Sequence, residues 1–126
     1  MKVYYSFIDH LVPNPITSLS VTNVSTTDIT VNWTIPSTEA GNYVTYHNIS
    51  YTPSCPELSS VNITVPVVPH QSTTTYRYTL RGLYSGMNYT ITVRAGNVLG
   101  ESGSAILVHE TVHTGELLHY TLFELS

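Results

Sequence analysis

The sequence predicts an all-β protein, a sandwich of seven antiparallel strands, on the basis of three observations. Apolar and polar residues alternate in short runs, and the period of an amphipathic helix is hard to find. Turn-forming residues, mainly Gly, Pro, Asn and Ser, separate the runs. A single tryptophan, Trp33, lies on the second run, where its side chain can fill the centre of a core between two sheets.

The first two predicted strands each place apolar side chains on one face. The run "ITSLSVTNV" alternates through Leu19 and Val21 and follows two prolines. The run "DITVNWTIP" places Ile29, Val31 and Trp33 on one face, because successive side chains of a strand point to opposite faces. The two predicted strands span residues 16–24 and 28–36.

The third and fourth predicted strands are joined by a longer connection that carries the lone cysteine. The run "YHNISYTP" turns His47 inward, and we interpret it as a core histidine with satisfied hydrogen bonds. The run "VNITVPV" reaches Pro66, which predicts an edge strand because proline lacks the N–H group. Cys55 has no partner for an internal disulfide, so we expect an unpaired loop thiol. The two predicted strands span residues 46–53 and 61–67.

The last three predicted strands complete the alternating pattern. After the short run "TYRYTL", the run "NYTITVRAGNV" places Tyr89, Ile91 and Val93 on one face. The run "SAILVHETVHT" is rich in β-branched residues, which favours a strand. The three predicted strands span residues 75–80, 88–98 and 104–114.

Several sequence elements occur together in an order typical of one known family. They are Pro15 and Leu19 ahead of "ITVNWT", the "ISY" of the third strand, and Leu83, Gly86 and Tyr89 ahead of "VRAGNVLGES". In these elements residues 13–114 resemble a fibronectin type III domain, an immunoglobulin-like β-sandwich. Immunoglobulin domains proper need a cysteine pair around the tryptophan, and this chain has none.

The resemblance implies structural roles for particular residues and a function. Trp33 and Leu83 would belong to the structural core, and Tyr89 would form a tyrosine corner, in which the hydroxyl of a buried ring bonds upstream backbone. The implied function is a non-catalytic extracellular module for protein interaction and spacing in a receptor or adhesion protein. The turn "GNVLGESGS" resembles a loop with which some members bind partners. The candidate residues of this partner-binding loop are Asn97, Gly100, Glu101 and Ser102.

The chain of 126 residues has room for one core. We expect an N-terminal flank at residues 1–12, one domain at residues 13–114, and a C-terminal tail or linker at residues 115–126. The N-terminal residues hold too few apolar positions for a signal peptide or a spanning helix. If the protein is secreted, we therefore expect this sequence to be a fragment of it. We also expect tandem neighbouring domains in a longer parent chain.

Charge excludes two classes of partner. Charged residues make up only 10% of the sequence, and the formal net charge is −4. One Lys and three Arg cannot form the basic stripe that binds a row of phosphates or an anionic membrane. We therefore expect no nucleic-acid binding and no membrane contact by this segment.

Signals for asparagine-linked glycosylation, Asn-x-Ser/Thr, are more frequent than chance. Five of eight asparagines carry one, against about two expected from the Ser and Thr content. Each lies in a turn or on the outward phase of a predicted strand, where a glycan fits. The excess favours an extracellular glycoprotein, although a Thr-rich β-protein also generates such signals and a bacterial spacer domain stays open. The five residues are Asn23, Asn32, Asn48, Asn62 and Asn88.

One motif points to a different class of protein. The segment "HETVHTGELLH" contains His-Glu-x-x-His and a third histidine ten residues after the first, as in one class of zinc peptidases. In those enzymes the motif lies on a helix, where positions four apart are about 5–6 Å apart at Cβ. A strand would separate the first two histidines by roughly 13 Å, so we expect this segment to bind no metal. The alternative function is a zinc-dependent metallopeptidase fragment using His109, Glu110, His113 and His119.

No other pattern indicates catalysis. The sequence has no Gly-rich phosphate loop, no Gly-x-Ser-x-Gly elbow and no acidic calcium loop. Its carboxylates are dispersed, so no acid–base pair is indicated. We therefore expect no catalytic residues and no cofactor, and we expect other proteins as the partners.

Overall fold

Two antiparallel β-sheets pack face to face as a sandwich. The computed structural model describes residues 12–36, 44–68 and 73–114, which form eight strands and no helix. The predicted all-β sandwich is therefore confirmed, with one short strand more than expected. The strands are β1 (Ser18–Val24), β2 (Ile29–Thr34), β3 (Tyr46–Pro53), β4 (Val61–Pro66), β5 (Thr75–Leu80), β6 (Asn88–Asn97), β7 (Gly100–Glu101) and β8 (Ala105–Glu110).

The sheets differ in size and in how their strands are connected. The smaller sheet, sheet A, has the order β1-β2-β5. The larger sheet, sheet B, has the order β4-β3-β6, and both β7 and β8 pair with β6. Strand β4 lies at an edge of sheet B, as Pro66 predicted. Every pair in both sheets is antiparallel.

The last strand, β8, is shorter than the predicted strand at residues 104–114. Strand β8 stops at Glu110, and the next residue, Thr111, is almost completely buried. The Thr111 hydroxyl accepts the Met87 N–H at 3.0 Å and donates to the Tyr84 carbonyl at 2.6 Å. These two bonds satisfy the buried hydroxyl and fix the exit of the strand, so residues 111–114 follow the loop ahead of β6 instead of extending the sheet.

Alternate residues of each strand face the core, as the period of two requires. In β2 and in β3 every second residue is buried. The buried hydrophobic residues are Ile16, Ile29, Val31, Trp33, Ile35, Val44, Ile49, Tyr51, Leu80, Leu83, Tyr89, Ile91, Val93 and Ala95.

An aromatic cluster of Trp33, His47 and Tyr76 occupies one part of this core. Trp33 is 1% exposed, and its ring centroid lies 5.3 Å from that of His47. The His47 and Tyr76 ring centroids are 4.7 Å apart. Within the described ranges neither ring nitrogen of His47 has a hydrogen-bond partner, and neither does Trp33 Nε1. The interpretation of His47 as a satisfied core histidine was therefore wrong, and burial lowers its pKa to about 4.

A second polar aromatic, Tyr89, is buried at the other end of β3, opposite Pro53. Its hydroxyl accepts the Tyr84 N–H at 2.8 Å, five residues upstream. Leu83 is buried beside this turn, and its N–H bonds the Thr27 carbonyl at 2.8 Å. The geometry is that of a tyrosine corner, which joins the loop ahead of β6 to the core.

Candidate functional site

The candidate partner-binding loop is the tight hairpin between β6 and β7, here called the β6–β7 loop (Asn97–Gly100). Asn97 pairs with Gly100, and Gly96 pairs with Glu101, so only Val98 and Leu99 lie outside the ladder. The side-chain oxygen of Asn97 accepts the Leu99 N–H at 2.9 Å. This bond closes the turn from within and stabilises it.

The tip of the β6–β7 loop is apolar and points away from the protein. Val98 is 91% exposed and Leu99 is 49% exposed. Val12, 43% exposed, lies next to the same loop, since a side chain built at Gly100 would come 3.7 Å from its Cγ2. Gly100 has φ of +150°, a conformation that residues with a Cβ rarely adopt. The loop therefore presents apolar side chains to solvent at the tip of a paired hairpin.

The four candidate residues of this loop fall into different roles. Asn97 and Ser102 are buried. Ser102 accepts the Ala95 N–H through its hydroxyl at 3.0 Å and donates its own N–H to the Ala95 carbonyl at 2.8 Å. Glu101 accepts the Tyr46 hydroxyl at 3.1 Å, beside the Gly100 bend. These residues shape and brace the loop.

Sequence reasoning missed the two residues that the loop exposes. The run assigned to the sixth strand ends at Val98, although Val98 is out of phase with the inward residues Tyr89, Ile91 and Val93. The sequence "NVLG" could have indicated the turn, because Asn97 and Gly100 at its two ends are residues that favour tight turns. An apolar pair inside such a turn cannot reach the core.

The "HETVH" segment spans the end of strand β8 and is not helical. His109 lies in β8 opposite Tyr89, whereas His113 lies beyond the end of that strand. His113 Nε2 is 3.0 Å from Glu110 Oε2, and His109 Nδ1 is 2.9 Å from the Glu110 carbonyl oxygen. No group of three or more potential metal ligands occurs in the described part of the chain, and His119 lies outside it.

All five glycosylation signals place their asparagine at the protein surface. Asn23, Asn62 and Asn88 are exposed, and Asn32 and Asn48 are half-buried between neighbouring strands. Asn23 lies at a register shift in β1, and Asn88 begins β6. All five are at least partly accessible, and their glycosylation stays a prediction.

Cys55 lies in the connection between β3 and β4 and is half-buried. It is a free thiol in the structure. Its carbonyl accepts the Leu58 N–H at 3.1 Å, which closes a turn. In the ranges described, no helix has the length and apolar character needed to cross a membrane.

The comparisons with known proteins identify the class of domain. The sequence profile of the fibronectin type III domain matches residues 14–110, so the chain belongs to the fibronectin type III family. Domains of this family are generally non-catalytic binding or structural modules, they are common in receptors and adhesion proteins, and they are typically extracellular. No curated protein is similar enough in sequence to count as a match.

Solved structures show the same fold at low sequence identity. A myokine structure has a TM-score of 0.65 and 20% identity, with 80% of this chain and 99% of that chain covered. The fibronectin type III domain of human collagen alpha-1(XX) has a TM-score of 0.63 and 20% identity, covering 80% and 87%. The chicken CNTN1 FN1–FN3 structure has a TM-score of 0.64 and 22% identity, covering 80% of this chain and 33% of that one.

Proposed function

We propose that this domain is a non-catalytic, extracellular spacer and protein-interaction module of a cell-surface receptor or adhesion protein, and that it contacts its partner through the β6–β7 loop. One observation supports this proposal above the others. Val98 and Leu99 are exposed at the tip of a hairpin whose base is paired on both sides of the turn. Apolar side chains held in this way have no internal role that the fold requires.

The energetics of such a loop favour binding to another protein. Burying a Val or Leu side chain gives about 1.5–3 kcal/mol, which is lost as long as the tip stays in water. A loop already fixed by the Asn97 side chain pays little further entropy when it is bound. The tip can therefore fill a shallow apolar pocket on a partner at low ordering cost.

The proposed spacer role follows from the arrangement of related domains. The CNTN1 structure contains several fibronectin type III domains in series, and this chain covers one third of it. We infer that this domain also has tandem neighbours in its parent chain. The proposed extracellular location is supported by the five surface asparagines and by the low proportion of charged residues, since glycans can supply solubility in place of charge.

The role of the loop can be tested with two matched double variants. Tetramers of the wild-type domain are first screened against an array of purified receptor ectodomains. The same screen is then repeated with the double variant Val98→Ser, Leu99→Ser. We expect the loop variant to lose binding by about tenfold or more, because two buried apolar contacts are removed. Its thermal unfolding should stay close to wild type, because both side chains are already exposed.

The control removes an equally exposed apolar pair elsewhere on the surface. Ile106 and Val108 of β8 are 61% and 60% exposed, and their replacement by Ser should leave binding to the same ectodomain unchanged. Equal loss of binding in both double variants would show that the loop is not the specific contact. Failure of the wild-type domain to bind any ectodomain would remove the proposed interaction role.

The proposed compartment has a separate test. The domain is expressed behind an added signal peptide in eukaryotic cells, and the secreted protein is treated with a glycosidase that removes N-linked glycans. We expect increased gel mobility, with Asn23, Asn62 and Asn88 the most heavily modified because they are the most accessible. A folded, secreted product with no glycan at any of the five sites would contradict the extracellular assignment.

A further inference from the structure

A cleft opens along the edge of the sandwich where β4 of sheet B faces β5 of sheet A. Its volume is about 420 Å³, within the range typical of ligand pockets. Both flanking strands are edge strands, so each has a backbone edge that no other described strand pairs with. The cleft is lined by Tyr51, Ile63, Arg77, Tyr78, Thr79 and Arg81.

Three hydrogen-bond donors around this cleft have no partner within the described ranges. Among the described residues, the Tyr51 hydroxyl, the Tyr78 hydroxyl and the Arg77 guanidinium make no hydrogen bond or ion pair. Arg81, by contrast, pairs with Asp28 at 3.2 Å. Burial is the main cause of a raised pKa at Tyr51, and the charges of the neighbouring Tyr78 and Tyr89 are smaller causes. The Tyr51 hydroxyl therefore keeps its proton and can donate a hydrogen bond.

The charge of the cleft contrasts with that of the whole chain. The chain has a formal net charge of −4 and only four cationic residues. Two of them, Arg77 and Arg81, line this cleft, Arg77 from the outer side of the edge strand β5, whereas Arg94 lies on the outer face of sheet B. The cleft therefore complements a small anionic group, since a planar guanidinium can bind a carboxylate through two parallel hydrogen bonds.

The other walls of the cleft indicate the kind of molecule that carries the anion. Ile63 and the rings of Tyr51 and Tyr78 give an apolar surface beside the donors. The free backbone edges of β4 and β5 are suited to an extended peptide, which can add main-chain hydrogen bonds along a strand. A sulfated oligosaccharide would need a longer row of cations than one unpaired arginine provides.

We propose that this cleft binds a Glu or Asp side chain of an extended acidic segment on a partner protein, with Arg77 as the ion-pair partner and the Tyr51 and Tyr78 hydroxyls as donors. This inference rests on the proposed function, because it assumes that the partner is a protein. It shares no residue with the β6–β7 loop, so the two contacts can be tested independently.

The test uses end-blocked fluorescent hexapeptides and the intact domain. One peptide alternates Glu with Val, and its counterpart alternates Gln with Val. Fluorescence anisotropy at low salt should show the acidic peptide binding about tenfold more tightly than the neutral one. Arg77→Gln should weaken the acidic peptide by about tenfold, and Tyr78→Phe should weaken it by a smaller factor.

The matched control is Arg94→Gln, which lowers the net charge by the same amount on the outer face of the other sheet. It should change the affinity by less than about twofold, because a charge on the outer face of the other sheet is screened from the ligand by solvent. Equal weakening by Arg77→Gln and Arg94→Gln would show a non-specific charge effect and overturn the proposal. Thermal unfolding of each variant identifies any loss of binding caused by loss of fold.

Two further outcomes would also overturn the proposal. They are tighter binding of a heparin-type hexasaccharide than of the acidic peptide, and no binding of the acidic peptide at all. The Val98→Ser, Leu99→Ser variant should bind the acidic peptide as wild type does. If a receptor ectodomain binds through the loop while the peptide does not bind, only the cleft inference fails. If the peptide binds while no ectodomain does, only the proposed function fails.

Discussion

The two ends of strand β3 bury polar aromatic groups in opposite ways. Near its start, His47 packs between Trp33 and Tyr76 with no hydrogen bond to either ring nitrogen in the described structure. Near its end, opposite Pro53, the Tyr89 hydroxyl accepts a backbone N–H at 2.8 Å. Both side chains fill space in one core, but only the second satisfies its polar atoms.

The difference shows that shape and hydrogen bonding are separate contributions to this core. The His47 cluster contributes packing, and it depends on the imidazole staying neutral because a charge there would be buried and unpaired. The Tyr89 corner contributes packing and also ties the turn before β6 to the core. We therefore expect the first region to be sensitive to volume and to pH, and the second to the loss of one oxygen atom.

The largest expected effect comes from removing the centre of the aromatic cluster. Trp33→Ala should lower the free energy of unfolding by about 3–5 kcal/mol, because a large buried ring is replaced by a cavity. Chemical denaturation followed by circular dichroism measures the change. A variant that unfolds like the wild type would show that Trp33 is not central to the core.

Lowering the pH should destabilise the same cluster through His47. Its pKa is about 4 in the folded protein and about 6.5 when unfolded, so the unfolded state binds the proton more readily. The contribution of His47 is therefore fully present above pH 6.5 and is lost as the pH falls through 4. The loss should reach about 3 kcal/mol at pH 4, measured by denaturation at a series of pH values.

Two variants separate His47 from the other titrating groups. His47→Leu should abolish this part of the pH dependence, since no imidazole is left to protonate in the core. His109→Gln, which changes a half-buried histidine near the Tyr89 end, should keep it. If the stability of His47→Leu falls with pH as steeply as that of the wild type, then His47 is not the origin of the acid sensitivity.

A smaller effect is expected at the tyrosine corner. Tyr89→Phe keeps the ring and removes the hydroxyl, which leaves the Tyr84 N–H without its acceptor, and should cost about 1–3 kcal/mol. The loss should be independent of pH between 4 and 7, in contrast to the effect of His47. Denaturation of the variant at these two pH values checks both statements, and no loss of stability would mean that water replaces the hydroxyl bond.

The sequence by itself determined the positions of the seven longer strands, apart from some of their ends, and which face most of them bury. Alternation in "DITVNWTIP" and "YHNISYTP" is a local property, because neighbouring side chains of a strand must point to opposite faces, and both strands appear where it predicted them. The same local rule predicted an outward position for three of the five glycosylation signals, those at Asn32, Asn48 and Asn62. The family resemblance, carried by Trp33, Leu83 and Tyr89 among others, supplied the sandwich topology.

Only the tertiary structure decided what surrounds each buried or exposed group. His47 has no hydrogen-bond partner in the part of the chain that the structure describes, and its ring neighbours come from β2 and β5, so no local pattern reports their identity. Thr111 ends β8 because its hydroxyl reaches backbone groups more than twenty residues earlier in the chain. The Arg77 cleft arises where edge strands of two sheets face each other. Such contacts join residues far apart in sequence, and alternation along a single strand carries no information about them.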